Sequence, residues 1–276
     1  MAQAEAKSYK GADLLGVRSI LFLPASNPRA IAKARGAGSD LVVLDLEDAV
    51  RPDDKSAARH AAVDAVAEAW PMPVAIRING VGTEWHSIDL DAVARSNADL
   101  VVVPRAASAH LVGEVGKTAG KPVLAMIETA AGVLTAAEIA RECAGLIAGT
   151  NDLRADLRLP LDVTREPIST SLQMIVLAAR AAGIAAFDGV FNSLDDAEGF
   201  AKEATAGRRL GFDGKSLIHP DQVVLCHRAF APSEAEIERA NALVAAFRGG
   251  AERFNNEMIE RMHVEAAQRL LERTNN

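Results

Sequence analysis

The chain has 276 residues, with 30 Lys plus Arg against 37 Asp plus Glu, a formal charge of −7 at neutral pH. Hydrophobic residues make up 49% and aromatic residues 4%. That apolar mass excludes a disordered chain, and the acidic balance argues against nucleic acid or a polybasic membrane contact as partner.

In chain order, Met1 to Asp13 is polar and lacks the apolar core of a secretory signal. No later apolar run approaches the ~18 residues of a membrane span. The expected compartment is therefore a reducing cytoplasm, with no membrane partner. Cys143 and Cys226, the two cysteines, form neither a disulfide framework nor a zinc spacing.

Short apolar runs then alternate with longer Ala-rich helical patterns. The runs are Ser19–Leu23, Leu41–Glu47, Val74–Asn79, Leu100–Pro104, Val123–Glu128, Gly145–Thr150, Ile184–Val190 and Gly214–His219. Their near-continuous apolar cores, bounded by Gly, Pro and Asp, suit parallel strands buried on both faces. The predicted helices are Pro28–Ala37, Lys55–Trp70, Ser87–Arg95, Ser108–Thr118, Gly132–Cys143, Arg165–Ala182, Ser193–Leu210 and Pro220–Phe230. Asn27 before Pro28, Ser193 with Asp196, and Ser233 with Glu236 are their start signals.

Eight β-then-α units in strict order predict an α/β fold, a (β/α)8 TIM barrel over residues 14–230. The competitor, a doubly wound open sheet, would usually place a Gly-rich turn after its first strand, and Leu23 to Asn27 has no glycine. Residues 231–276 read as a C-terminal helical appendage, broken at Gly249-Gly250. It is either a packing helix pair or a subunit contact or lid.

Active sites of such barrels lie at the C-terminal strand ends. Period-two alternation puts Asp45 and Glu47 on the inner face of strand two, with Leu44 and Leu46 against helices. By the same rule Arg77 and Asn79 share the inner face of strand three. Glu128 ends strand five and Asp152 follows strand six. Several carboxylates gathered at one mouth are costly unless a cation compensates, and one Arg cannot neutralise four acids. Oxygen-only ligands favour Mg2+, with Mn2+ as the alternative. The histidines are scattered, which argues against a zinc triad; His219, at a strand end, is read as structural.

Several segments resemble one known family. They are Arg18-Ser19-Ile20-Leu21-Phe22-Leu23-Pro24, Asp45-Leu46-Glu47-Asp48-Ala49-Val50 followed by Lys55 and Arg59, and Arg77-Ile78-Asn79. Further along come Ile127-Glu128-Thr129-Ala130-Ala131-Gly132, Gly149-Thr150-Asn151-Asp152-Leu153 and Gly211-Phe212-Asp213-Gly214-Lys215-Ser216-Leu217-Ile218-His219-Pro220. Together, from about Val17 to Val223, they resemble the citrate lyase β-subunit-like family, grouped with malyl-CoA and citramalyl-CoA lyases in the HpcH/HpaI aldolase superfamily.

The resemblance implies a barrel in which Glu128 and Asp152 hold Mg2+ and Arg77 grips a substrate carboxylate. Asp45 and Glu47 then read as groups that orient Arg77 or metal-bound water. The implied reaction is reversible carbon–carbon cleavage of a short 3-hydroxyacyl-CoA to an acyl-CoA and a 2-oxo acid, by a homo-oligomer, a trimer or hexamer. Two alternatives stay open: an aldolase acting on free 2-oxo acids without CoA, and a lyase subunit working with an acyl-carrier partner. Many relatives carry Gly-x-Met-x-Asp in the tail, where this chain has Asn256-Glu257-Met258-Ile259-Glu260. Glu260 is thus the candidate tail acid, read here as a packing or rim residue, with a catalytic role as the alternative.

Overall fold

The computed structural model describes residues 11–161 and 164–272, and the chain divides into two compact units at Ala229 and Phe230. In the first unit, eight parallel strands close into a barrel in sequential order. These are β1 Ser19–Pro24, β2 Leu41–Asp45, β3 Val74–Arg77, β4 Leu100–Val103, β5 Val123–Ile127, β6 Gly145–Ala148, β7 Ala185–Asp188 and β8 Gly214–Leu217. Closure is direct, with Ile20 of β1 registered against Leu41 of β2 on one side and Ser216 of β8 on the other. Except for β1, which runs one residue further to Pro24, the strands stop one to two residues short of the C-terminal ends of the apolar runs, where the chain leaves the sheet for the connecting loops and helices.

The crossover helices are α1 Pro28–Ala34, α2 Lys55–Ala67, α3 His86–Ala94, α4 Ala109–Ala119, α5 Ala130–Leu134, α6 Ala136–Ile139, α7 Thr150–Asp156, α8 Ser169–Ala182, α9 Ala197–Leu210 and α10 Gln222–Phe230. Their starts are chemically specified. The Asn27 side chain accepts from the Arg29 and Ala30 amides and Pro28 opens α1, satisfying donors that a helix start leaves unpaired. The cap of α9 is Asp196 alone, accepting from Gly199 N, so the expected start at Ser193 moves on by about one turn. The run from Gly132 to Cys143 is two short helices, because Thr135 leaves the helical conformation between them.

The barrel interior is filled by one face of each strand. Ile20, Leu41, Val43, Ala75, Leu100, Val102, Leu124, Met126, Ile147, Ala185 and Phe187 form one buried cluster, extended by Leu14 and Val17 from the turn before β1. Phe187 is fully buried, so its truncation to Ala is expected to cost about 3–5 kcal/mol. Above this apolar fill, the same alternation carries on to Asp45 after Val43, Arg77 after Ala75 and Glu128 after Met126. The barrel mouth is polar because the inner face changes chemistry at its last position.

A second buried network lies on the helix-facing side of β7 and β8. Lys215 of β8 is fully buried and donates to Asp188 Oδ2 at 3.1 Å, Gly189 O at 2.5 Å and Glu203 Oε1 of α9 at 2.8 Å. Arg165 pairs with both Asp188 oxygens. Burial works against the Asp188 charge, but Lys215 and Arg165 hold its carboxyl below the usual carboxylate range.

The second unit corrects the expectation of a purely helical tail. Helices α11 Glu234–Ala246 and α12 Arg261–Glu272 flank an antiparallel hairpin of β9 Glu252–Phe254 and β10 Glu257–Ile259. Ser233 and Glu236 form the expected reciprocal cap of α11. The turn residues Asn255 and Asn256 both have positive φ, the conformation that a tight two-residue hairpin needs and that Asn tolerates. Ala240, Leu243, Ile259, Val264 and Ala267 make this unit's own core.

Candidate active site at the barrel mouth

A cavity of about 360 Å3 opens at the C-terminal strand ends. Asp45, Asp48, Arg77, Glu128 and Asp152 line it, with Phe22, Met126, Val190 and Ile218 among its apolar walls. It falls near the small end of ligand pockets, ~300–1,000 Å3.

Arg77 is its buried cation, 7% exposed. Nε and Nη2 donate to Asp45 Oδ1 and Oδ2, each at 2.7 Å, a bidentate pair. Nη1 lies 2.9 Å from Glu47 Oε2, an ion-pair contact not aligned as a hydrogen bond, and 3.6 Å from both Asp48 Oδ2 and Met126 Sδ. Burial opposes the guanidinium charge, but Asp45, Glu47 and Asp48 raise its pKa above the usual arginine value. Arg77 is thus permanently charged and fixed by Asp45, with Nη1 as its adaptable corner.

The carboxylates respond in the opposite sense. Burial pushes Glu47 up to about 8, and Asp48, Glu128 and Asp45 add to the shift against the pull of Arg77. Burial likewise pushes Glu128 up to about 7, with Asp152 adding to it. Asp152 is raised by partial burial and by Asp48. These groups resist ionising together, which marks a place built for an added positive charge.

Glu128 is held by main chain. The Arg105 amide donates to Oε1 at 2.6 Å. Gly149 packs against the other side of the carboxyl, where a Cβ would collide with Glu128 Oε2 and Cβ. Glu128 Oε2 is buried and has no hydrogen-bond partner among the described residues. A buried carboxylate oxygen left open, beside a half-buried second carboxylate on Asp152, suits a hard divalent cation that keeps some water or substrate oxygens. Among the described residues no group of three His, Cys, Asp or Glu side chains is arranged to hold a metal. The remaining ligands would come from water and substrate.

Of the residues singled out in the sequence, Asp45, Arg77, Glu128 and Asp152 line this cavity, and Glu47 reaches it through Arg77. Strand β2 ends at Asp45, so Glu47 is placed by the following turn, in which its amide donates to Asp45 Oδ1. Asn79 departs from the inner face. It accepts from Lys55 Nζ at 2.6 Å and donates to Asp89 Oδ2 and Leu46 O, and Asp89 in turn pairs with Arg59. Lys55, Arg59 and Asn79 therefore brace the loops behind Arg77. His219 sits in a turn, where its Nδ1 accepts from the Asp221 amide. Glu260 lies in the second unit, following β10, and its amide donates to His263 Nδ1. Asp48 and Arg105 are site residues that strand patterning does not reach. Both lie just past a strand end, where alternation no longer applies; the signals the chain offers are the place of Arg105 directly after the fourth apolar run and of Asp48 in the family-like segment Asp45 to Val50.

The family model for HpcH/HpaI aldolase/citrate lyase matches residues 18–220. A (3S)-malyl-CoA thioesterase of Cereibacter sphaeroides (strain KD131) is 39% identical over 265 residues, covering 92% of this chain and 93% of that protein. The citrate lyase subunit beta of Leuconostoc mesenteroides subsp. cremoris is 34% identical, covering 94% of this chain and 93% of that protein. A crystal structure of protein CitE from Mycobacterium tuberculosis, in complex with magnesium, acetoacetate and coenzyme A, superposes with a TM-score of 0.86 at 34% identity. It covers 95% of this chain and 100% of that one. With the family model spanning all eight barrel strands and relatives matching along nearly their full length, the chain belongs to the HpcH/HpaI aldolase/citrate lyase family and is an enzyme of the lyase class.

Proposed function

We propose that the protein cleaves, reversibly, a short 3-hydroxyacyl-CoA of the malyl-CoA or citramalyl-CoA type into an acyl-CoA and a 2-oxo acid, with Mg2+ held by Glu128 and Asp152. The observation that carries the reading is the buried Oε2 of Glu128, without a hydrogen-bond partner among the described residues, beside Asp152 in a cavity that also holds Arg77. When bound there, Mg2+ supplies Lewis-acid stabilisation of negative charge on substrate oxygens. Mn2+ would serve in the same donor set. The magnesium and coenzyme A of the M. tuberculosis CitE complex support both the cation and the thioester.

This chain's residues have separate tasks in that reaction. Arg77 binds the carboxylate of the 2-oxo acid half. Asp45 occupies Nε and Nη2, so Nη1 is the donor offered to substrate, and Asp45 keeps it aimed. Glu47 and Asp48 hold that corner until a substrate carboxylate arrives. The Arg105 amide and Gly149 hold the Glu128 carboxyl in one orientation, so no reorganisation accompanies substrate binding. The Phe22, Met126 and Ile218 walls limit water around the breaking bond. A cavity of about 360 Å3 takes the hydroxy-acid end and leaves most of the CoA outside. Assembly as a homo-oligomer, trimer or hexamer, belongs to this proposal.

Thioester hydrolysis is a second reading, favoured by the 39% identity to the C. sphaeroides malyl-CoA thioesterase. The test is product analysis after incubating Mg2+-loaded protein with malyl-CoA, citramalyl-CoA and the free hydroxy acids. Acyl-CoA plus 2-oxo acid supports the lyase, and free CoA plus the intact hydroxy acid supports the thioesterase. Cleavage of the free acids alone, or of neither CoA ester, overturns the CoA-ester assignment.

A further inference from the structure

Arg105 touches both members of the carboxylate pair by different means. It follows Pro104 directly after β4, in the left-handed region at φ 48°, a conformation that costs a residue with a Cβ about 1–2 kcal/mol. That backbone turn aims the amide at Glu128 Oε1, 2.6 Å away, while Oε2 stays open. The side chain returns over the mouth, with Nη1 3.7 Å from Asp152 Oδ1. The Arg105 and Asp152 side chains are both about half exposed, and this contact with Asp152 is the one ion pair that the guanidinium makes among the described residues.

Resting on the reading of Glu128 and Asp152 as a cation site, we propose that Arg105 is a positioning residue with two opposed effects: its amide prepares Glu128 for the metal, while its guanidinium is a tethered counter-ion that the metal must displace from Asp152. Metal entry is then an exchange of one cation for another. The guanidinium sets affinity below what the carboxylates alone would give. A tethered charge costs the resting enzyme less than two unneutralised carboxylates, and it leaves Asp152 ready to be released. The repulsion of a divalent ion by a guanidinium a few ångströms away, even at the high effective dielectric of a half-exposed site, is large enough to be measured as affinity.

The test is calorimetric titration of substrate-free protein with MgCl2 at constant ionic strength, for wild type, Arg105→Gln, Arg105→Gly and Arg105→Lys. Gln and Gly remove the charge, and Gly keeps the amide while accepting the left-handed backbone without strain. The expected result is about three- to ten-fold tighter Mg2+ binding in both neutral variants and near-wild-type affinity in the lysine variant. Unchanged or weaker binding in the glutamine and glycine variants, with wild type binding normally, would overturn the counter-ion role and leave the cation site standing. Absence of binding in wild type would overturn the cation-site reading itself, and this inference with it.

Discussion

Arg77 and Asp45 form a bidentate pair across neighbouring strands, with both contacts at 2.7 Å and both side chains buried. The register of β2 and β3 sets these two residues opposite each other, so the pair is a direct product of strand pairing. It places a fixed positive charge at the base of the mouth and turns one corner of it toward the cavity.

Removing Asp45 is expected to be severe. Asp45→Ala leaves a buried guanidinium facing only Glu47 and the exposed Asp48, and breaking a buried pair typically costs about 3–5 kcal/mol. Urea denaturation checks the loss. Arg77→Lys keeps a charge but forfeits the fork that Asp45 grips, so kcat/KM is expected to fall by about two orders of magnitude or more, while stability falls less than in Asp45→Ala.

The pH dependence follows from Glu128, raised to about 7, and Glu47, raised to about 8. Both pKa values lie above the usual carboxylate range that the unfolded chain shows. The folded protein therefore binds more protons than the unfolded chain between about pH 4.5 and 8, and stability without metal falls as pH rises through that window. Melting temperature without Mg2+ is expected to decline from pH 5 to 8. Mg2+ must find Glu128 ionised, so its affinity is expected to rise by up to about tenfold per pH unit below pH 7, with proton release on binding. Calorimetry in buffers of different ionisation enthalpy reads that proton directly.

Strand alternation makes Asp45, Arg77 and Glu128 legible in the amino-acid sequence, because inner-face parity is a local property of a strand. Legibility stops at the strand ends. Glu47 obeys parity on paper but reaches Arg77 from a turn, and Asn79, of equal parity, turns away to Asp89 and Lys55. Arg105 depends on one left-handed backbone angle, for which arginine gives no signal. The hairpin of β9 and β10 is masked because Gly249-Gly250 reads as a simple helix break, although Asn255-Asn256 is a turn signal in its own right. Helix α7 is masked in the same way, because its first residue, Thr150, also ends the apolar run of the preceding strand.

Gly149 gives a prediction that involves no charge. Gly149→Ala puts a methyl group where the Glu128 carboxyl lies. Glu128 must move, and Mg2+ affinity is expected to drop by about tenfold or more, in line with the cost of displacing a group that orients a ligand. Titration with MgCl2 reads this, and circular dichroism checks that the barrel persists.

The Lys215 network gives the converse. Its partners lie in β7, in the turn after it and in α9, and Lys215 does not line the cavity. Lys215→Met strips Glu203 and Asp188 of a buried cation and is expected to cost about 3–5 kcal/mol of stability, read by urea denaturation, with Mg2+ affinity unchanged within about twofold.

The most direct measurement is a crystal structure of the protein soaked with Mg2+ and a 2-oxo acid such as pyruvate. The expected result is a metal bonded to Glu128 Oε2 and to Asp152 at about 2.0–2.1 Å, with the acid's carboxylate on Arg77 Nη1 and Asp45 still gripping Nε and Nη2. A metal bound elsewhere, or an acid that ignores Arg77 while the metal sits on Glu128 and Asp152, would contradict the proposed division of labour at the barrel mouth.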